Sequence, residues 1–233
     1  MTLHTRSREA NEAAVGSNPR MRALLLAGLS VPLSGCFVLN VANVFEQERE
    51  TQSRNVGEFD EIELEGSIDV EVVVGEDISL QVVAVPKLLD DVTTKIKEGT
   101  LHIDLEGGGH ISTSGVLVKV TVPSLVGVEL TGSGDVKVEG LTEGDFEATI
   151  AGSGDIELAG TAESLTASIN GSGDIDARGL KVQTADLTIA GSGDITATAS
   201  ESVMGDIAGS GDITVRGGAS CTVTAPGRGD VNC

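Results

Sequence analysis

The chain has 233 residues, a formal net charge of −21 and 31 glycines, but no Trp or Tyr and only four Phe. This acidity repels nucleic acid and anionic lipid headgroups, and almost no aromatic side chain is present for a base to stack on, so nucleic-acid binding is excluded. The abundance of Gly and β-branched residues, without a helical apolar period, predicts an all-β protein with a core of Val, Ile, Leu and Ala.

Residues 1–35 have the pattern of an export signal. Met21 and Arg22 precede an apolar run, Ala23 to Leu33, which is too short to span a bilayer but suits the apolar part of a signal peptide. A short buried helix is the alternative. Residues 1–20 fit no part of this pattern and are consistent with an upstream extension, translation then starting at Met21.

The signal ends in Leu-Ser-Gly-Cys, which resembles the lipobox of bacterial lipoproteins, whose cysteine is lipidated. This predicts Cys36 as a lipid anchor in the membrane. Phe37 follows, so the Asp that resembles an inner-membrane retention signal is absent, and an outer-membrane lipoprotein is expected. Residues 36–56 are polar and predict a tether between the anchor and a folded domain at 57–233.

Apolar and polar residues alternate from Phe59 onward, as in half-buried strands, and residues 130–233 then repeat one turn. Gly-Ser-Gly-Asp ends at Asp135, Asp155, Asp174, Asp194 and Asp212, and a sixth copy, Gly-Arg-Gly-Asp, ends at Asp230. The spacings are 20, 19, 20, 18 and 18 residues, typical of stacked repeats that cannot bury an apolar face alone.

Aligned on the Asp, the copies share inward positions. The residues five, seven and nine before it and one and three after it are nearly all apolar, and those between are mostly polar. Two strands therefore face one core around a Gly-Ser-Gly corner, which favours a parallel β-helix with coils of 18–20 residues over an antiparallel hairpin array. A weaker copy, Gly66-Ser67-Ile68-Asp69, extends the solenoid into a more irregular N-terminal part.

These serial turns, the Phe59-Asp60-Glu61-Ile62 opening and the lipobox resemble the bacterial family described as putative auto-transporter adhesin, head GIN domain. The resemblance covers residues 56–233. It implies a right-handed parallel β-helix of the cell envelope, and only weakly a role in adhesion.

The turn glycines have a structural interpretation, because a tight corner needs positive φ or close backbone approach. They are Gly132, Gly134, Gly152, Gly154, Gly171, Gly173, Gly191, Gly193, Gly209, Gly211, Gly227 and Gly229. The aligned Asp carboxylates would repel by about 0.9 kcal/mol per neighbouring pair in water at about 4.8 Å. Hydrogen bonds within an Asx-type turn would offset this repulsion, and a row of Ca²⁺ ions is the alternative. No cofactor is otherwise expected.

Arg228-Gly229-Asp230 matches an integrin-binding tripeptide, but Arg228 stands in the position that Ser occupies in the other copies, which favours a plain turn. Cys221 and Cys233 fall at inward positions of the last copy. In an oxidising compartment they are expected to form a disulfide that closes the last coil, worth about 2–4 kcal/mol. Free thiols and a metal site are the alternatives.

Catalytic groups are scarce. His4, His102 and His110 form no triad or metal-spaced cluster, and cationic side chains are scattered. The sequence therefore predicts a non-catalytic binding or scaffolding protein, with a surface glycan or a protein as partner. Thr149, Ser168, Thr188 and Thr224 share an outward position, for which a solvated strand surface is the favoured interpretation and a binding face the alternative. A Ca²⁺-dependent glycan-binding module and a polysaccharide-active enzyme are the alternatives; the oligomeric state is left open.

Overall fold

The structure, a computed structural model, describes residues 48–106, 115–142 and 144–233. The N-terminal part of this range contains seven strands and a four-residue helix. They are β1 (Glu50–Arg54), β2 (Glu61–Gly66), β3 (Asp69–Val74), β4 (Ser79–Ala84), α1 (Pro86–Leu89), β5 (Val92–Lys97), β6 (Thr100–Leu105) and β7 (Leu117–Val122).

The repeat region contains only strands among its described residues. They are β8 (Gly127–Gly132), β9 (Val136–Leu141), β10 (Asp145–Gly152), β11 (Ile156–Thr161), β12 (Ser164–Gly171), β13 (Ile175–Gly191), β14 (Ile195–Gly209), β15 (Ile213–Arg216), β16 (Ser220–Thr224) and β17 (Val231–Asn232).

The strands stack into two parallel ladders that share one core. The first, ladder A, runs β6-β2-β8-β10-β12-β13-β14-β16, and the second, ladder B, runs β7-β3-β9-β11-β13-β14-β15-β17. The long strands β13 and β14 give their first halves to ladder B and their second halves to ladder A. The predicted β-solenoid is therefore confirmed, and every pairing between repeats is parallel.

The register follows the alignment on the Asp. Ile150 lies beside both Leu130 and Ile169, one coil to either side, and all three side chains are fully buried. Burying such a branched side chain stabilises the fold by about 1.5–3 kcal/mol, so each coil contributes to a continuous apolar column.

The N-terminal coil is stacked out of sequence order. β2 and β3 pair directly with β8 and β9, with Gly66 opposite Gly132, so the weaker copy at residues 66–69 is a coil of the solenoid. The chain between them, residues 75–126, returns as β6 and β7 on the opposite side of β2 and β3.

Antiparallel strands cover this end of the solenoid. β5 pairs with β6, while β4 pairs with β7 and β1 pairs with β4. α1 contributes Leu88 and Leu89 to the core. Both ladders thus end in strands that run against the parallel direction, which occupies edges that would otherwise pair with another chain.

The predicted tether at residues 36–56 is wrong in its last part. Residues 50–54 form β1, and the Arg54 guanidinium donates hydrogen bonds to the carbonyl oxygens of Leu89 at 2.7 Å and Val92 at 2.6 Å. Partial burial lowers the pKa of Arg54, and the nearby Asp90 carboxylate raises it. The guanidinium therefore stays charged while it donates to the two carbonyl oxygens. The polar composition of this stretch concealed a strand held by one half-buried cation.

The corner glycines are required by the distance between coils. The Ser153 N–H donates to the Gly132 carbonyl oxygen at 2.8 Å, and the Ser172 N–H donates to that of Gly152 at 2.9 Å. A Cβ atom on Gly154 would lie 1.9 Å from the Gly134 carbonyl oxygen. No side chain fits there, because the obstructing atom is backbone rather than a movable side chain.

Gly154→Ala is expected to destabilise the protein by about 3 kcal/mol or more, above ordinary overpacking, since the neighbouring coil would have to shift. Urea unfolding of the two proteins measures this difference. Gly127→Ala is the matched control: a Cβ there meets its nearest atom at 3.6 Å, so its stability should stay within about 1 kcal/mol of the original. Equal effects of the two substitutions would contradict the close-approach explanation.

Arg54→Ala should release β1. The loss of two hydrogen bonds from a charged donor is expected to cost about 1.5–3 kcal/mol and to expose residues 48–56 to protease. Limited proteolysis with mass mapping of the first cleavage reads this out. Lys97→Ala, at an exposed position of β5, serves as the control and should leave the cleavage pattern unchanged.

Candidate functional site

The Asp side chains of the repeat form one row along the corner, called here the Asp row. Oδ1 of each Asp accepts a hydrogen bond from the backbone N–H of the Asp one coil further on. The distances are 3.2 Å from Asp69 to Asp135, 3.1 Å to Asp155, 2.9 Å to Asp174, and 2.8 Å for the steps to Asp194, Asp212 and Asp230.

The donor differs from the one predicted. An Asx turn would place it in the same turn, whereas here it belongs to the following coil, so the side chain continues the backbone ladder through the corner. A hydrogen bond to a carboxylate contributes about 1.5–3 kcal/mol when shielded, and less at an exposed corner. Such bonds are large enough to offset the repulsion between neighbouring carboxylates.

The Asp row is a line rather than a cage. Ca²⁺ takes about six to eight oxygen ligands that converge on one point. Within the described ranges, no group of three or more His, Cys, Asp or Glu side chains is arranged to hold a metal ion.

Arg228 occupies the Ser position of the last corner. Its N–H donates to the Gly209 carbonyl oxygen at 2.8 Å, as the Ser210 N–H does to that of Gly191. The Arg-Gly-Asp tripeptide therefore makes the same backbone contacts as the other corners.

The outer surface of ladder A carries the predicted hydroxyl face. Thr149, Ser168 and Thr188 lie directly beside one another in neighbouring coils, and Asp206 stands between Thr188 and Thr224. The Thr224 hydroxyl is hydrogen-bonded to the Asp206 carboxylate. The result is a row of short polar side chains, one per coil, on a backbone fixed by the ladder.

The N-terminal end of the same surface is acidic. Glu61, Glu63, Glu129 and Glu147 line a depression of about 420 Å³, which Gly127 opens by having no side chain. His102 Nδ1 lies 2.8 Å from Glu63 Oε2, so the one imidazole in the described part of the chain is paired with a carboxylate rather than with a nucleophile.

The outer surface of ladder B pairs its charges both between neighbouring coils and along single strands. Lys119 Nζ lies 3.1 Å from Glu71, and Lys137 Nζ lies 3.0 Å from Glu139 and 3.6 Å from Glu157. The hydrogen bond with Glu139 is the main reason that the pKa of Lys137 lies above its ordinary value.

Further along ladder B, the Arg178 guanidinium binds the Asp176 carboxylate through Nε at 2.8 and 2.9 Å. This hydrogen bonding lowers the pKa of Asp176 and raises that of Arg178. The side chains of Asp176 and Arg178 are respectively 36% and 56% exposed, so water screens the pair and its contribution to stability is small.

A groove of about 700 Å³ runs between the Asp row and the outer surface of ladder B. Its walls include Asp135, Asp155, Asp174, Lys137 and Arg49. Sequence reasoning missed Arg49 and Arg54 because both lie in the stretch interpreted as a tether. Residues 51–55 are Thr, Gln, Ser, Arg and Asn, so the sequence has no alternation of apolar and polar residues there that would have predicted the strand.

Cys221 and Cys233 are joined as a disulfide in the structure, with 6.4 Å between their Cα atoms. The bond ties the end of the last coil to β16. Both cysteines were predicted to face inward, but Cys221 is only half-buried and Cys233 is exposed, because no coil of the described chain stacks on the last one.

The predicted signal, the lipid anchor Cys36, His4 and His110 lie outside the described residues. In the part of the chain that is described, no helix has the length and apolar character needed to cross a membrane.

Comparison with known proteins confirms the resemblance. The sequence profile of the family described as putative auto-transporter adhesin, head GIN domain, matches residues 58–219. A solved structure described as a putative adhesin, from Bacteroides fragilis NCTC 9343, is 21% identical with a TM-score of 0.64, and the match covers 80% of this chain and 97% of that one. No curated protein matches the chain.

A second solved structure, described as a putative lipid binding protein from Parabacteroides distasonis ATCC 8503, is 22% identical with a TM-score of 0.52. It also covers 80% of this chain and 97% of its own. At these identities the two structures show a shared fold.

The Asp row predicts a difference between two substitutions at one residue. Asp174→Ala leaves the Asp194 N–H without its acceptor and should cost about 1 kcal/mol, whereas Asp174→Asn keeps an acceptor oxygen and removes a charge, so it should be neutral or stabilising. Thermal and urea unfolding measure both. Asp186→Ala, an exposed Asp on ladder A, is the control and should change stability by less than about 0.5 kcal/mol.

The same unfolding experiments with Ca²⁺ and with a chelator separate the two interpretations of the row. Under the hydrogen-bonded interpretation the melting temperature is unchanged by either. A rise with Ca²⁺ in the original protein that Asp174→Asn abolishes would contradict it and assign the row to an ion.

Proposed function

Since the chain belongs to the family described as putative auto-transporter adhesin, head GIN domain, we propose that it is an exported, non-catalytic binding protein of the bacterial envelope. Membership makes it adhesin-like; the finer parts of the proposal are a lipid anchor at Cys36 in the outer membrane and a solenoid that holds a binding face away from it. The partner is an extended surface glycan or a protein.

The observation that carries the proposal is the hydroxyl row on ladder A. Thr149, Ser168 and Thr188 lie in strict register on strands paired through eight consecutive positions, Asp145 to Gly152 with Ser164 to Gly171. Adjacent coils are about 4.8 Å apart, so the row offers evenly spaced hydrogen-bonding groups whose positions are fixed before binding. A repeating ligand can meet several of them at once.

The partners of the charged side chains support a non-catalytic role. His102 is paired with Glu63, and the Asp-row Oδ1 atoms from Asp69 to Asp212 accept backbone N–H groups. Lys137 and Arg178 each lie beside a carboxylate, that of Glu139 or Asp176, which offsets the positive charge that a polysaccharide-degrading enzyme would use to hold an acidic sugar. These ion pairs and hydrogen bonds stabilise the structure, and a solenoid fold does not by itself imply catalysis.

Exposure on the cell surface is the first test. A protease site inserted between Glu76 and Asp77, both exposed in the bend between β3 and β4, should be cut on intact cells that produce the full chain. Cys36→Ser should release the protein from the membrane fraction. Cutting only after the outer membrane is permeabilised would place the domain inside the cell envelope and overturn the adhesion part.

Binding is tested separately on a glycan array and on candidate protein surfaces. Thr188→Lys, which places a long charged side chain in the hydroxyl row, should reduce binding at least about tenfold, because it blocks one position of a multipoint contact. Thr214→Lys, on the outer surface of ladder B, is the matched control. Equal loss from both variants, or sugar products released from the array, would count against the proposed face or the non-catalytic role.

A further inference from the structure

The two ends of the solenoid differ. At the N-terminal end, β1, β4 and β5 lie antiparallel on the ladders, and α1 adds buried leucines. At the other end, β16 pairs only with β14 and β17 only with β15 among the described strands. The C-terminal end face, defined here as residues 217–233, is therefore an edge whose outward backbone donors and acceptors no described strand uses.

Core side chains become exposed at this face. Val231 is 38% exposed, while Ile213, its partner one coil earlier, is completely buried. Cys221 and Val223 pack against the core from β16 but are only partly buried. The disulfide between Cys221 and Cys233 holds this uncovered coil in shape, so the face is kept ready for a contact rather than free to fray.

Charge identifies what the face can meet. The protein carries a net charge of −21, so two copies repel over most of their surfaces. Residues 217–233 contain only Arg228 and Asp230 as charged side chains, and these cancel. The C-terminal end face is thus a place where a second copy can approach without that repulsion.

The side chains of Arg228 and Asp230 make no ion pair with any described residue. Among the described residues, no carboxylate lies within ion-pair distance of the Arg228 guanidinium. Asp230 is the last residue of the Asp row. Its N–H donates a hydrogen bond to Asp212 Oδ1 at 2.8 Å, whereas the carboxylate of Asp230 accepts none from the N–H of another Asp in the described chain. Both ionic groups have free hydrogen-bonding capacity at one corner.

We propose that the C-terminal end face binds a second copy of this chain in an isologous, end-to-end dimer. A two-fold axis through Gly229 brings Arg228 of each copy to Asp230 of the other, since residues on either side of such an axis contact one another reciprocally. The contact covers Val223 and Val231 and gives the Asp row a final partner. This dimer contact does not depend on which ligand the hydroxyl row binds.

The test uses charge reversal in the full chain carrying Cys36→Ser, which keeps a lipid out of the measurement. Sedimentation equilibrium should show the starting protein as a dimer by roughly 100 µM, where a micromolar contact is saturated. Arg228→Glu and Asp230→Arg, each alone, place like charges across the axis and should raise the dimer Kd at least about tenfold. An equal mixture of the two variants should associate, as should the double variant with both changes.

These variants keep the fold, because the corner uses the backbone N–H groups of Arg228 and Asp230 rather than their side chains. Lys97→Glu makes the same charge change as Arg228→Glu at the opposite end and should leave the Kd unchanged. A starting protein that stays monomeric, a mixture that fails to associate, or an equal effect of Lys97→Glu would each overturn the proposal.

Discussion

The close approach of backbone to backbone at the corner is the constraint from which the rest of the structure follows. At this corner a Cβ on Gly154 would lie 1.9 Å from the Gly134 carbonyl oxygen, and one on Gly173 would lie 1.9 Å from that of Gly154. Only Gly permits this approach, and the Ser N–H to Gly carbonyl bonds depend on it. Because every corner stacks in the same register, the strand positions next to it do too, which is why apolar residues fall into columns and Asp residues into a row. The register shifts only further from the corner, between Glu157 and Ala159 and between Ala177 and Lys181, where the coils differ in length.

This constraint also explains what the sequence could predict. Aligning the copies on the Asp is equivalent to aligning the coils in space, so inward residues such as Ile150 and Ile169 could be read directly, as could the parallel arrangement. The backbone N–H that donates to each Asp carboxylate could not be predicted in this way. A hydrogen bond between Asp174 Oδ1 and the Asp194 N–H requires knowledge of how far apart neighbouring corners lie, and a single copy of the turn does not contain that distance.

The N-terminal part was less predictable for a different reason. Alternation of apolar and polar residues is the same in parallel and antiparallel strands, so the pattern over residues 79–122 does not show that β4 and β5 are antiparallel caps and β6 and β7 a coil. Alternation also does not show that the coil that comes first in the sequence is the second coil in space. Arg54 was hidden because its role depends on carbonyl groups of Leu89 and Val92, more than thirty residues away.

The hydrogen bonds and ion pairs that hold the coils together also determine which surface groups remain available for recognition. Corner carboxylates from Asp69 to Asp212 bind backbone, and the Lys and Glu side chains of ladder B bind one another, so much of the charged chemistry maintains the coil. What remains free lies in rows repeated along the axis, above all the hydroxyls of Thr149, Ser168 and Thr188. For the proposed binding role, selectivity on such a surface would come from matching a repeat distance rather than from filling a pocket. A partner with its own regular spacing is therefore favoured over a compact small molecule, because each additional coil adds a contact without a new ordering cost.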